Sequence, residues 1–123
     1  MPTLPIKLAI TPVSKPRMTQ SDKWQRRVCT TRYWAFKDEL KALWGTDDLP
    51  AAISIKFYIP MPSSWSEKKK SLLDGKPHQA KPDLDNLIKA VWDSLCVSDS
   101  YIWRVDAVKL WGREGSIEIG NYF

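Results

Sequence analysis

The sequence predicts an α/β (α+β) fold in which helices pack on a mixed β-sheet, with the elements in the order β-α-β-α-β-β. Apolar and polar residues alternate in several short segments, which is typical of half-buried strands. Apolar residues recur every three or four positions in two longer segments, which is typical of helices. The chain has 123 residues and no internal repeat. This length predicts a single domain over residues 1–123.

The first strand and the first helix are predicted in the N-terminal third of the chain. Apolar side chains alternate over residues 4–10, and Pro5, which lacks a backbone N–H donor, favours the start of this strand or an edge of the sheet. A basic loop over residues 11–30 follows. Residues 31–44 then predict a helix, which Gly45 is able to end.

The second strand and the second helix have clearer patterns. The odd-numbered side chains of residues 53–59 are apolar, and Pro60 ends this strand. The polar stretch 63–81 predicts a cationic connection with one helical turn starting at Ser66. Residues 84–95 form an unbroken apolar stripe at helical spacing, so the best-defined helix of the chain is predicted here.

The last two elements are predicted to be strands, over residues 102–111 and 116–119. The intervening residues 112–115 contain two glycines and have the composition of a turn. We therefore expect the two strands to pair with each other as a β-hairpin.

Positive charge is concentrated at the N-terminal end of the chain. The formal net charge is +5, but residues 1–32 hold seven basic residues and one acidic residue, so the other 91 residues sum to −1. Such a basic segment favours nucleic acid over a membrane surface as the partner, with a solvated face as the alternative. The residues expected to contact DNA phosphates are Lys15, Arg17, Lys23, Arg26, Arg27 and Arg32.

The composition excludes several classes of protein. No segment approaches the roughly 18 consecutive apolar residues that a membrane span requires, and residues 1–10 lack the apolar run of a secretory signal. The two cysteines, Cys29 and Cys96, are too few for a disulfide scaffold and lack zinc-finger spacing. We therefore expect a reduced, soluble protein of the cytoplasm.

The run KPDLDNLIK, residues 81–89, carries the most informative chemistry. Pro82 favours an extended entry to the helix, so Asp83 would precede the helix and Asp85 would lie in its first turn. The two carboxylates can then converge near the helix N-terminus, with Lys89 one turn further on. Such a group suits Mg²⁺, which binds one or two carboxylates and completes its shell with water and phosphate oxygens. Alternatively, the two acids only cap the helix and interact favourably with its dipole. This run alone leaves the metal site and the helix cap both open.

The same run resembles the core motif of the RusA family of Holliday-junction resolvases. The likeness covers residues 81–95, KPDLDNLIKAVWDSL, and continues with a turn that contains Asp99. A strand follows that reaches Lys109, and the family's ten-residue step from that aspartate to that lysine is preserved. Residues 12–17, PVSKPR, are also similar to the opening of the family.

The resemblance implies a homodimeric, Mg²⁺-dependent endonuclease that cuts four-way DNA junctions by paired nicks in DNA recombination and repair. It implies that Asp83, Asp85 and Asp99 hold the metal and that Lys89 lies near the scissile phosphate. These four residues are therefore the expected catalytic residues. The family often has two adjacent acids where this chain has Ser98 and Asp99, so only the second acid is present here.

Two other functions stay open from the sequence. A non-catalytic DNA-binding protein would use the same acids structurally, and a metal nuclease could instead cut flaps, forks or RNA. The roles of Trp24, His78 and Asp106 are also left open. Asp93, one helical turn beyond Lys89, is predicted to support that lysine.

Overall fold

Four strands and three helices form the fold in the computed structural model, which describes residues 4–16 and 28–121. They are β1 (Ile6–Leu8), α1 (Val28–Trp44), β2 (Ala52–Pro60), α2 (Glu67–Leu73), α3 (Leu84–Leu95), β3 (Arg104–Gly112) and β4 (Ser116–Asn121). The strands form one sheet in the order β1-β4-β2-β3, in which β2 is parallel to β3 and antiparallel to β4. The predicted mixed sheet with helices packed on it is confirmed.

The predicted boundaries near the N-terminus are close to the observed ones. β1 lies at an edge of the sheet and begins just after Pro5, as the missing N–H donor indicates. α1 begins at Val28, three residues before the predicted start at residue 31. Gly45 ends this helix with a φ of 98°, which favours glycine, and its N–H donates to the carbonyl of Lys41 at 3.0 Å.

The predicted hairpin between β3 and β4 is wrong, because β2 lies between these two strands. α2 and α3 form the crossover that brings β3 parallel to β2. The chain then passes the end of β2, where the N–H of Met61 donates to the carbonyl of Gly112 at 3.0 Å. β4 pairs on the other side of β2, between β1 and β2, and in this position its Ile117 and Ile119 are fully buried.

The hydrophobic core lies between one face of the sheet and the helices α1 and α3. The apolar stripe predicted for α3 faces this core, and α2 contributes no buried residue. The largest fully buried side chains are Tyr33, Leu40, Ile53, Ile55, Phe57, Leu87, Val91, Ile117 and Ile119. Within the described residues, no helix is both long enough and apolar enough to cross a bilayer.

Residues 75–78, which connect α2 to α3, run along the outer edge of β3. The N–H of His78 donates to the carbonyl of Lys109, and the N–H of Trp111 donates to the carbonyl of Lys76, both at 2.9 Å. The His78 ring is 5% exposed and meets the Trp111 ring edge-on at 4.3 Å. Burial and the charge of Lys109 lower the pKa of His78, so this histidine is a neutral packing residue near pH 7.

Candidate active site

The two motif aspartates flank the start of α3 as the sequence predicts. Asp83 is the N-cap residue with an extended backbone, φ −72° and ψ 141°, and Asp85 lies in the first turn. The side chain of Asp83 makes no capping hydrogen bond. A capping aspartate normally accepts a hydrogen bond from an amide of the first turn. The carboxylate of Asp83 therefore does not act as a helix cap in this structure.

The turn that precedes α3 is held from the sheet. Lys109 on β3 donates hydrogen bonds from Nζ to the carbonyls of Ala80 and Pro82, at 2.6 and 2.7 Å. These carbonyls lie directly before Asp83, in a segment without regular secondary structure. The sequence places Lys109 at the end of a family motif, but no local pattern could indicate these two contacts.

Lys89 lies one helical turn beyond Asp85, and its Nζ is 3.8 Å from Asp85 Oδ2. Both side chains are more than half exposed, and an exposed ion pair of this kind contributes at most about 1 kcal/mol. Lys89 is therefore free to turn towards a phosphate at little cost. It shares a shallow cavity of about 350 Å³ with Asp99 and Trp92. Lys89 and Asp99 thus line one cavity, whereas Asp83 and Asp85 do not line it.

Asp93 contacts α1 and the N-terminal segment, so the prediction that it supports Lys89 is not what the structure shows. Tyr33 donates a hydrogen bond from its hydroxyl to Asp93 Oδ2 at 2.6 Å. The Nζ of Lys37 is 3.2 Å from the same oxygen, and the Nζ of Lys15 is 3.7 Å from Oδ1. Asp93 is therefore the acceptor that holds Lys15 beside the cavity, a role that sequence spacing did not reveal.

The predicted DNA-binding residues are only partly described. Lys15 lines the same cavity as Lys89, and its backbone N–H donates to the carbonyl of Asn86 in α3 at 3.1 Å. Arg32 is exposed on α1 and lines a different cavity, between α1 and residues 9–13. The remaining members of the predicted set lie outside the described residues: Arg17, Lys23, Arg26 and Arg27.

The family model described as endodeoxyribonuclease RusA matches residues 9–120. The chain belongs to the RusA endodeoxyribonuclease family. The match spans α3, the cavity beside it and Lys109, so the resemblance seen in residues 81–109 is confirmed over nearly the whole chain. No curated protein and no solved structure matches the chain closely enough to add to this assignment.

The aspartates of this RusA-family protein fit Mg²⁺ in the chemistry of their donor atoms. Asp83 and Asp85 offer carboxylate oxygens at the helix start, and Mg²⁺ commonly takes only one or two protein carboxylates. Asp99 follows the other end of α3, a helix of 12 residues and so about 18 Å long. Within residues 4–16 and 28–121, no three side chains of His, Cys, Asp or Glu converge closely enough to hold a metal. A metal site that includes all three aspartates therefore stays a prediction.

Asp106 lies apart from this group in the RusA-family protein. It is exposed on β3 and pairs in register with Ser54 of β2, next to the buried Ile53 and Ile55. Because successive side chains of a strand point to opposite faces, Asp106 is on the face away from α3. It is therefore not a member of the candidate active site.

We expect Asp93→Asn to destabilise this RusA-family protein in a pH-dependent way. Burial would raise the pKa of Asp93, but hydrogen bonds from Tyr33 and Lys37 and the charges of Lys37 and Lys15 outweigh it and lower this pKa. The contribution of Asp93 to stability is therefore complete above its unfolded pKa of about 3.9. It is lost as the pH falls through the lower pKa of the folded protein.

Urea unfolding measured from pH 7 down to acidic pH checks this prediction. The free energy of unfolding of Asp93→Asn should be below wild type at pH 7, and the difference should shrink in acid. Asp38→Asn is the control because it makes the same change at an exposed position of α1. A difference between Asp93→Asn and wild type that is the same at every pH would contradict the assigned contacts.

Proposed function

We propose that this RusA-family protein is a structure-selective endonuclease that resolves four-way DNA junctions by paired nicks. In this proposal it depends on Mg²⁺, acts as a homodimer and serves DNA recombination and repair. The observation that carries the proposal is the uncapped carboxylate of Asp83 beside Asp85, with Lys89 one turn further and Asp99 in the cavity of Lys89. Family membership supports the nuclease activity and the junction substrate.

The residues of the site have complementary roles in phosphodiester hydrolysis. Asp83 and Asp85 would hold Mg²⁺, whose chemistry when bound is to polarise the phosphate and to make a water molecule more acidic. Asp99 follows the other end of α3, so for it to join them as a third ligand the segment after α3 would have to move towards the start of the helix. The Lys89 ammonium would lie against the scissile phosphate and stabilise the negative charge that develops on it. Lys15, held by Asp93, would bind a neighbouring phosphate and so position the backbone of the DNA.

The exposed edge of the sheet supports a homodimer. β3 is the last strand of the described sheet, and residues 75–78 run along its outer edge only near residues 109–111. Exposed apolar side chains lie next to the remainder of this edge, including Trp103, which is 66% exposed, and Val105. An edge strand with apolar neighbours is a template for association. Two sites related by a two-fold axis would also suit a junction that is nearly two-fold symmetric.

Analytical ultracentrifugation tests the homodimer. We expect wild type to sediment as a dimer and Trp103→Lys to shift the equilibrium towards monomer, because a charge would replace an apolar contact. Leu72→Lys is the control, since Leu72 is 64% exposed on the helix α2 and not on β3 or next to its N-terminal end. A wild-type protein that is monomeric at all concentrations and still makes paired nicks would contradict the dimer.

A labelled mobile four-way junction, incubated with and without Mg²⁺, tests the proposed activity. We expect symmetrical nicks in opposite strands only when Mg²⁺ is present. Flaps, forks, duplex DNA and RNA are compared at one ionic strength, because non-specific affinity depends steeply on salt. Tight binding without nicking of any substrate would identify a non-catalytic DNA-binding protein. Faster cleavage of flaps, forks or RNA than of the junction would replace the proposed substrate.

A further inference from the structure

We propose that Lys109 is a positioning residue. It holds the backbone directly before Asp83 and so fixes where Asp83 and Asp85 lie. This inference rests on the proposed function, because it assigns to Lys109 the placement of the metal-binding aspartates. Lys109 itself is on β3, outside the acidic motif and outside the cavity that Lys89 and Asp99 share.

The side chain of Lys109 holds the turn that leads into α3. Its Nζ donates to the carbonyls of Ala80 and Pro82 at 2.6 and 2.7 Å, so one ammonium group binds on both sides of Lys81. Charge-assisted hydrogen bonds of this length are stronger than neutral ones. Two of the three N–H groups of the ammonium are thereby engaged with backbone that is directly followed by Asp83.

The backbone of Lys109 holds the same connection a few residues earlier. Its carbonyl accepts the N–H of His78 at 2.9 Å, while its side chain reaches residues 80–82. Lys109 lies on the edge strand β3 and pairs in register with Phe57 of the central strand β2, which is 1% exposed, so the backbone of Lys109 is anchored to the sheet. Lys109 therefore holds two successive parts of the segment that precedes the aspartates, one through its backbone and one through its side chain.

The aspartates need such support because local structure does not supply it. Residues 79–83 have no regular secondary structure, and although the carbonyl of Asp83 accepts the N–H of Leu87 at 3.2 Å, the side chain of Asp83 makes no capping hydrogen bond. The side-chain contact that the structure shows for Asp85 is with Lys89, whose side chain is itself exposed. Groups that orient metal ligands commonly change metal affinity or activity by about 10- to 100-fold when removed. We expect an effect of this size from Lys109.

The test compares Lys109→Met with Lys109→Arg. Methionine retains an apolar stem and removes both hydrogen bonds, whereas the arginine guanidinium can again donate to two carbonyls. For Lys109→Met we expect faster hydrogen exchange of the amides in residues 79–88, weaker Mn²⁺ binding to the free protein by calorimetry, and a loss of nicking of about 10- to 100-fold. Affinity for the junction in EDTA should be unchanged, and Lys109→Arg should recover all three properties in part.

Lys56→Met is the matched control, since Lys56 is exposed on the neighbouring strand β2, on the sheet face away from α3. Unchanged exchange in residues 79–88 of Lys109→Met would overturn the inference whether or not the wild-type protein cuts DNA. A loss of junction affinity equal to the loss of nicking, with normal Mn²⁺ binding, would also overturn it and would make Lys109 a DNA contact. If wild type fails to nick any junction, the proposed function fails, and the exchange measurement still decides whether Lys109 holds the turn.

Discussion

Asp85→Asn is expected to abolish junction nicking while junction binding persists. The substitution removes one negative charge and nearly preserves the shape of the side chain. Asp85 is 70% exposed in its side chain, so the change should not disturb folding. We expect a loss of at least about 100-fold in the nicking rate, the scale of removing one group that stabilises transition-state charge. Binding should persist because the substitution leaves unchanged the basic residues that we propose to contact phosphates.

Single-turnover nicking and fluorescence anisotropy with a labelled junction measure the two properties separately. Asp38→Asn is the control, because it removes the same charge from an exposed position of α1. It should nick at the wild-type rate. Wild-type nicking in Asp85→Asn would remove this residue from the active site, and an equal loss of binding and nicking would show that its role is not catalytic.

The largest expected effect on stability comes from Leu40→Ala. Leu40 on α1 is completely buried in the core between the helices and the sheet. Truncation removes buried methyl groups and leaves a cavity, which typically costs about 2–5 kcal/mol. Since domains of this size are commonly stable by about 5–15 kcal/mol, the variant should lose a large share of its free energy of unfolding.

Leu43→Ala makes the same chemical change one turn away on the same helix, where the side chain is 41% exposed. We expect it to cost less than about 1 kcal/mol, because less apolar surface is returned to water. Urea unfolding followed by circular dichroism measures both variants. Equal destabilisation by the two substitutions would contradict the position of α1 on the core.

The elements that a local pattern determines were predicted closely, and the pairing of distant strands was not. The stripe over residues 84–95 matches α3 residue for residue, because helical periodicity and the preceding Pro82 are both local signals. The turn composition of residues 112–115 is local as well, but it does not determine which strand β4 joins. That choice depends on the burial of Ile117 and Ile119 against β2 and the helices, which the sequence does not show.

In the candidate active site, too, local spacing was predicted from the sequence and contacts between distant residues were not. The spacing of Asp83, Asp85 and Lys89 was enough to place these residues around the start of α3. The contact of Tyr33 with Asp93 joins residues 60 positions apart, and that of Lys109 with Pro82 joins residues 27 positions apart. Contacts at such separation form only when the tertiary fold brings the elements together, so they carry no periodic signal in the sequence.

The lack of any buried side chain in α2 has a practical consequence for protein engineering. Its solvent-facing surface, including Leu72, can accept a reporter dye or a short epitope without repacking the interior. Natural homologues should also differ more in this helix than in α3, because selection for core packing does not act on it.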